Sequence, residues 1–90
     1  MDRTIITVVG RDCVGIIARV CTYLAENRVN ILDISQTIVQ GFFNKMMIVD
    51  TNECPKNFTD FSTELEALGR EIGVAIKAQR EDIFDMMHRI

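Results

Sequence analysis

Hydrophobic and polar positions along this chain change period several times, and each change marks an element. Residues 3–9, Arg-Thr-Ile-Ile-Thr-Val-Val, are β-branched and read as a buried strand. Gly10 to Gly15 reads as a turn, with Asp12 placed to cap the helix after it. From Ile16 the period becomes helical. Ile17, Val20, Cys21 and Leu24 stand at i, i+3, i+4 and i+7, and the stripe ends near Asn27. Val29 to Val39 reads as a second strand, rich in Ile, with Asp33, Ser35 and Thr37 on alternate positions. Gln40-Gly41 is a tight hairpin turn, because Gly41 takes positive φ without strain, and Phe42 to Asp50 is the third strand.

The polar stretch Thr51 to Lys56 contains Pro55 and forms a loop. Asn57 stands where an N-cap belongs, with Asp60 three residues on. Phe58, Phe61, Leu65, Leu68 and Ile72 then mark the inner face of a second helix, which Gly69 weakens and Gly73 stops. Val74 to Gln79 is a fourth strand. Glu81 to Ile90 reads as a short terminal helix with Ile83, Met86, Met87 and Ile90 on its apolar side.

This order, β-α-β-β-α-β with a tail helix, predicts an α+β ferredoxin-like sandwich: a four-stranded antiparallel sheet with two helices on one face, plus a short C-terminal helix. The other face of such a sheet ordinarily meets water, and its strands then alternate cleanly. Here Ile5 and Val9 fall on one side of the first strand and Ile6 and Val8 on the other. Met46 and Ile48 likewise oppose Phe43, Met47 and Val49. Both faces are apolar, so the second needs a cover. A second copy in a homodimer is the expectation; the tail helix folded across the sheet is the alternative.

Ninety residues, 48% hydrophobic and 26% charged, describe one soluble globular domain spanning 1–90 and exclude a disordered tail or a disulfide-stapled toxin. Ten basic residues against thirteen acidic leave a net charge of −3, and no basic cluster is longer than two. Nucleic acid is therefore not an expected partner. Cys13, Cys21 and Cys54 are an odd number at wide spacing without a CxxC pair, which argues against a zinc knuckle or disulfide framework. The start of the chain lacks the features of a secretory signal, and no apolar run approaches a membrane span. The expected home is a reducing cytoplasm, with no membrane partner.

One place offers a site. Gly10-Arg11-Asp12-Cys13-Val14-Gly15-Ile16 joins the first strand to the first helix, whose opening N–H groups carry a partial positive charge. Gly15 lets a ligand atom approach the backbone. Asn30, at the start of the second strand, offers a donor and an acceptor, and is expected beside this loop because the intervening helix returns the chain antiparallel. A carboxylate over the helix N-terminus and an ammonium near Asp12 or Asn30 describe a free α-amino acid.

These residues also carry a resemblance. Gly-Arg-Asp-Cys-Val-Gly-Ile before the helix, and Asn-Arg-Val-Asn-Ile-Leu-Asp-Ile-Ser after it, resemble the ACT domain, a small-molecule-binding regulatory module. Nearly the whole chain is covered, and the element order agrees. The chain is similar to the small stand-alone ACT proteins of about ninety residues in bacteria and archaea, and to half of the two-ACT regulators of the glycine-cleavage system. The resemblance implies an amino acid bound between two domains, contacted by Asp12, Gly15 and Asn30. Ile16 and Ile31 would be apolar neighbours, and Cys13 and Val14 would complete the loop. Many members have Arg-Pro where this chain has Cys13-Val14, and the serine-sensing members have Asn where it has Asp12.

Plainer roles exist for each residue. Asp12 serves as a helix cap, Gly15 permits tight packing, and Asn30 is a turn residue entering a strand. Cys13 is either a small loop residue or, near a helix N-terminus, a reactive thiol. Cys21 reads as core and Cys54 as exposed. His88 has no nucleophile near it in sequence, and Glu81, Asp82 and Asp85 read as a solvated helix start rather than a cation site. No catalytic residue, metal or cofactor is expected.

The leading expectation is a non-enzymatic regulatory module that binds a small amino acid at a dimer interface and acts through an unidentified partner protein. One alternative is a protein–protein interaction or dimerisation module without ligand. Another is a small acylphosphatase-like enzyme using Arg11 and Asn44, disfavoured because Asp12 would stand beside the phosphate.

Overall fold

A computed structural model describes residues 3–11 and 15–81 of the chain. The element order is β1 (Arg3–Arg11), α1 (Ile16–Glu26), β2 (Asn30–Val39), β3 (Phe42–Asp50), α2 (Phe58–Ile72) and β4 (Ala75–Arg80). The strands form one sheet in the order β2-β3-β1-β4, and every neighbouring pair is antiparallel. This is the ferredoxin-like arrangement that the periodicity predicts. The terminal helix expected at 81–90 lies outside the described residues apart from Glu81.

Local chemistry sets the element ends. Asn57 caps α2 by accepting the Asp60 N–H at 2.8 Å, and Gly73 ends it at φ 84°. Gln40 and Gly41 both take left-handed φ, 52° and 82°, as a two-residue hairpin with the twist of its strands requires. One boundary differs from the sequence reading. Gly10 and Arg11 are not turn residues but continue β1, opposite Phe43 and Phe42. Gly10 fits there because a side chain would run into Val74, whose Cγ1 lies 2.5 Å from the position of a Cβ.

The core lies between sheet and helices. Ile6, Val8, Met47, Val49 and Ile76 from the strands meet Val20 and Leu24 of α1 and Phe61 and Leu65 of α2. The opposite face carries Ile5, Val9, Met46, Ile48 and Phe42, so both faces of the inner strands are apolar. Val9 and Phe42 there are 38% and 43% exposed. Cys21 is half-buried and stands outside the core cluster, contrary to its reading as core; Cys54 is also half-buried and packs against that cluster rather than standing free.

β2 is an edge strand, and from Leu32 to Val39 every residue is exposed. Its pairing with β3 shifts at Leu32, which leaves Ile34 and Ile38 in register with the core residues Met47 and Phe43. They share the helix-side face yet remain 44% and 66% exposed. At 3.6 residues per turn, α1 turns Arg19 and Tyr23 toward α2, where they meet Glu71 and Glu64. Ile17 and Cys21 then lie on the opposite flank, above the β2 side of the sheet. No second helix covers that flank among the described residues.

Candidate functional site

Gly15 opens α1 at φ 79°, a conformation that favours glycine, and its carbonyl accepts the Arg19 N–H at 3.1 Å. A Cβ built on Gly15 meets nothing within 4 Å, so packing is not what requires glycine there. Among the described residues no side chain caps this N-terminus, and an α-helix begins with N–H groups that have no intrahelical acceptor. Ile16 is half-buried against the core. Asp12, Cys13 and Val14 lie outside the described residues.

Asn30 is not beside Gly15 in the same chain. It pairs with Asp50, which pairs with Arg3 at the start of β1, whereas Arg11 at the end of β1 pairs with Phe42. The expectation of neighbourhood fails because α1 reverses direction after β1. It carries the chain back the full depth of the sheet before β2 begins. Gly15 and Asn30 therefore stand at opposite ends of the fold.

Asn30 lines a cleft of about 240 Å³ with Arg28, Asp50, Asn52 and Glu53, while Ile31 beside it is half-buried against the core. Arg28 sits in the turn after α1 at φ 58°. Asp50 accepts the Asn52 N–H at 2.8 Å. Among the described residues, no ion pair joins Arg28 to Asp50 or Glu53. The sequence reading did not single out Arg28, Asp50, Asn52 or Glu53. Their one sequence signal is polar residues flanking Asn30 and ending β3, and only the β2–β3 pairing brings the two groups together.

A larger cleft, about 610 Å³, opens at the same end of the sheet and includes Arg3, Lys56, Phe58, Arg80 and Glu81. Its cations are engaged. Arg3 pairs with Glu81 at 3.6 Å, and Lys56 donates to Glu64 at 2.6 Å and to Asn27 at 2.7 Å. Tyr23 also donates to Glu64, at 2.8 Å, so this group ties α1, the β3–α2 loop and α2 together. The Lys56 hydrogen bond, with that of Tyr23, holds the Glu64 carboxyl below its ordinary range. Partial burial, and then the Glu64 contact, pushes the Tyr23 phenol up.

The residues of the enzyme alternative are Arg11 and Asn44. Arg11 stacks its guanidinium over the Phe42 ring at 4.8 Å, and Asn44 stands on β3 opposite Val9. No phosphate cradle surrounds them among the described residues.

Comparison with known proteins adds identity to this geometry. Residues 2–79 match the sequence profile described as ACT domain. A UPF0237 protein of Bifidobacterium longum is 61% identical over 90 residues, which covers all of both chains. The solved structure of an ACT domain protein from Streptococcus pneumoniae is 42% identical, with a TM-score of 0.83 over 93% of this chain and 94% of that one. A protein assigned as a glycine cleavage system transcriptional repressor is 25% identical, with a TM-score of 0.72 over 88% of this chain and 45% of that one.

Proposed function

The chain belongs to the ACT domain family, and from that premise we propose that it is a regulatory module binding a free amino acid between two copies of itself. The observation that carries this reading is the open β2 edge, with Ile34 and Ile38 exposed along it. An edge strand offers unpaired N–H and C=O groups, and a second β2 laid antiparallel satisfies both strands by one two-fold rotation. The exposed isoleucines and the Ile17–Cys21 flank of α1 then gain apolar cover.

Antiparallel pairing turns the second copy end for end. Its Asn30 comes to the end of the first copy that holds Gly15. The ligand site on this reading combines Asp12, Cys13, Val14, Gly15 and Ile16 of one chain with Asn30 and Ile31 of the other. The ligand carboxylate lies over the α1 N-terminus, and the amide of Asn30 holds the other end of the zwitterion. The module carries out no chemistry itself and passes occupancy to a partner protein in the cytoplasm.

Two measurements test it together. Sedimentation at micromolar concentration is expected to give a dimer. Thermal unfolding against the twenty amino acids is expected to show stabilisation by at least one, reaching ~2.7 kcal/mol at one hundred times its Kd. A dimer that no amino acid stabilises removes the sensing role and leaves an interaction module.

A further inference from the structure

The sheet face turned away from α1 and α2 is buried unevenly. Ile5 lies on it, and side chains of a strand alternate between faces. Yet Ile5 is only 4% exposed, and it stands outside the core cluster that the helices cover. Val9, four residues further along the same face of β1, is 38% exposed, and Phe42 near it is 43% exposed. Ile48 and Gln79, the residues paired with Ile5, and Thr7 beside it are half-buried. Flanking residues close the sides of such a position but not its top. Among the described residues, no element lies over this face. Ile5 reaches its burial within a single chain, so a second copy is not the source.

We propose that residues 82–90 dock as a helix on this face of their own chain, over Ile5, and hold it closed to a second copy. The segment starts in the right place. β4 ends beside Thr4, the backbone turns helical at Glu81, and the Glu81 carboxylate meets Arg3 at 3.6 Å, two residues before Ile5 on the same face. Its composition fits an apolar surface. Ile83, Met86, Met87 and Ile90 stand at i, i+3, i+4 and i+7, one stripe of a helix. Its reach matches the gradient of burial. A helix over 81–90 spans roughly 15 Å, the length of about four strand residues. Laid from Arg3, it covers Ile5 and Thr7 and stops short of Val9 and Phe42. The outer face is then filled from within the chain, and the β2 edge is left for pairing. The proposal holds whether or not the two-copy ligand site does.

The test is a nuclear Overhauser measurement on the full chain with labelled Ile and Met methyl groups. The Ile5 methyls are expected to show contacts with at least one of Ile83, Met86 and Met87. After exchange into an excess of unlabelled protein, those contacts should keep their full strength per labelled chain, because both partners belong to one chain. Absence of any contact from Ile5 to these three residues would overturn the proposal. Contacts that fade on dilution with unlabelled protein would assign the cover to a second copy and overturn it equally. A variant gives an independent check. Ile83→Asp combined with Met87→Asp places two charges against the apolar face, and is expected to lower the urea midpoint and shift the Ile5 methyl resonances. A midpoint and resonances both unchanged would show that the segment does not lie there.

Discussion

Gly15 and Asn30 stand at opposite ends of one sandwich, separated by the length of α1. That helix has eleven residues, so it spans roughly 16 Å at 1.5 Å per residue. A single small amino acid cannot touch both residues in one chain. Any ligand that does so must lie between two chains, and the open edge of β2 is where antiparallel pairing would bring them together.

The first prediction concerns that edge. Ile38 is 66% exposed and has little to lose in the isolated chain. Ile38→Glu is expected to change the folding stability by less than about 0.5 kcal/mol, as surface substitutions usually do. Along a paired edge the same change places a charge in an apolar seam. Sedimentation is expected to show the dimer dissociating at concentrations where the unaltered protein remains paired. An unchanged dimer would put the interface elsewhere.

The second concerns Gly15. A branched side chain such as valine would strain the helix start at φ 79°, so Gly15→Val would confuse loss of fold with loss of ligand. Asparagine tolerates left-handed φ, and the space around Gly15 is open. Gly15→Asn is therefore expected to melt close to the unaltered protein. Its side chain would stand over the first N–H groups of α1, and amino-acid stabilisation should vanish. Melting curves with and without ligand measure both effects.

The fold was legible because each element announces itself locally. Ile17, Val20, Cys21 and Leu24 give α1 its period, and Asn57 and Gly73 mark the ends of α2. What was not legible depends on contacts distant in sequence. Gly10 resembles a turn residue until Phe43 is seen across from it in β3. Cys21 lies on the apolar stripe of α1 but is only half-buried and stands outside the core cluster. The candidate site shows the same division. Gly15 at the start of a helix and Asn30 at the start of a strand can be picked out of the sequence. Their separation follows from the return of the chain along α1, and the gathering of Arg28 with Asp50 and Glu53 from the β2–β3 pairing.

A third prediction reverses a propensity. Alanine is favoured over glycine within a helix by ~1 kcal/mol. At Gly69 the added Cβ would lie 2.7 Å from the Val74 carbonyl and 3.0 Å from Ile76. Backbone does not yield as a side-chain tip does, and overpacking costs about 1–3 kcal/mol. Gly69→Ala is expected to lower the urea midpoint despite its gain in helix propensity, and a raised midpoint would contradict the close approach.

The fourth concerns pH. Glu64 accepts hydrogen bonds from Lys56 and Tyr23, and its carboxyl titrates below the ordinary value of 4.5. A depressed carboxyl contributes stability that is present above that ordinary value and lost as pH falls through the folded one. The Tyr23 phenol is shifted upward from 10.0, so its contribution is present below pH 10 and lost above it. Glu64→Gln should flatten the acid limb of a plot of urea midpoint against pH, and Tyr23→Phe should flatten the alkaline limb. Unchanged slopes would show that the Lys56–Glu64–Tyr23 group contributes nothing to folding.

The shared site is tested most directly by complementation. Gly15→Asn and Asn30→Ala, each alone, are expected to form dimers that bind no amino acid. After mixing and subunit exchange, a mixed dimer carries one site with both alterations and one with neither. Calorimetry on the equimolar mixture should then recover about one quarter of the original sites, at unaltered affinity. A mixture that exchanges subunits yet binds nothing would contradict a site built from both chains.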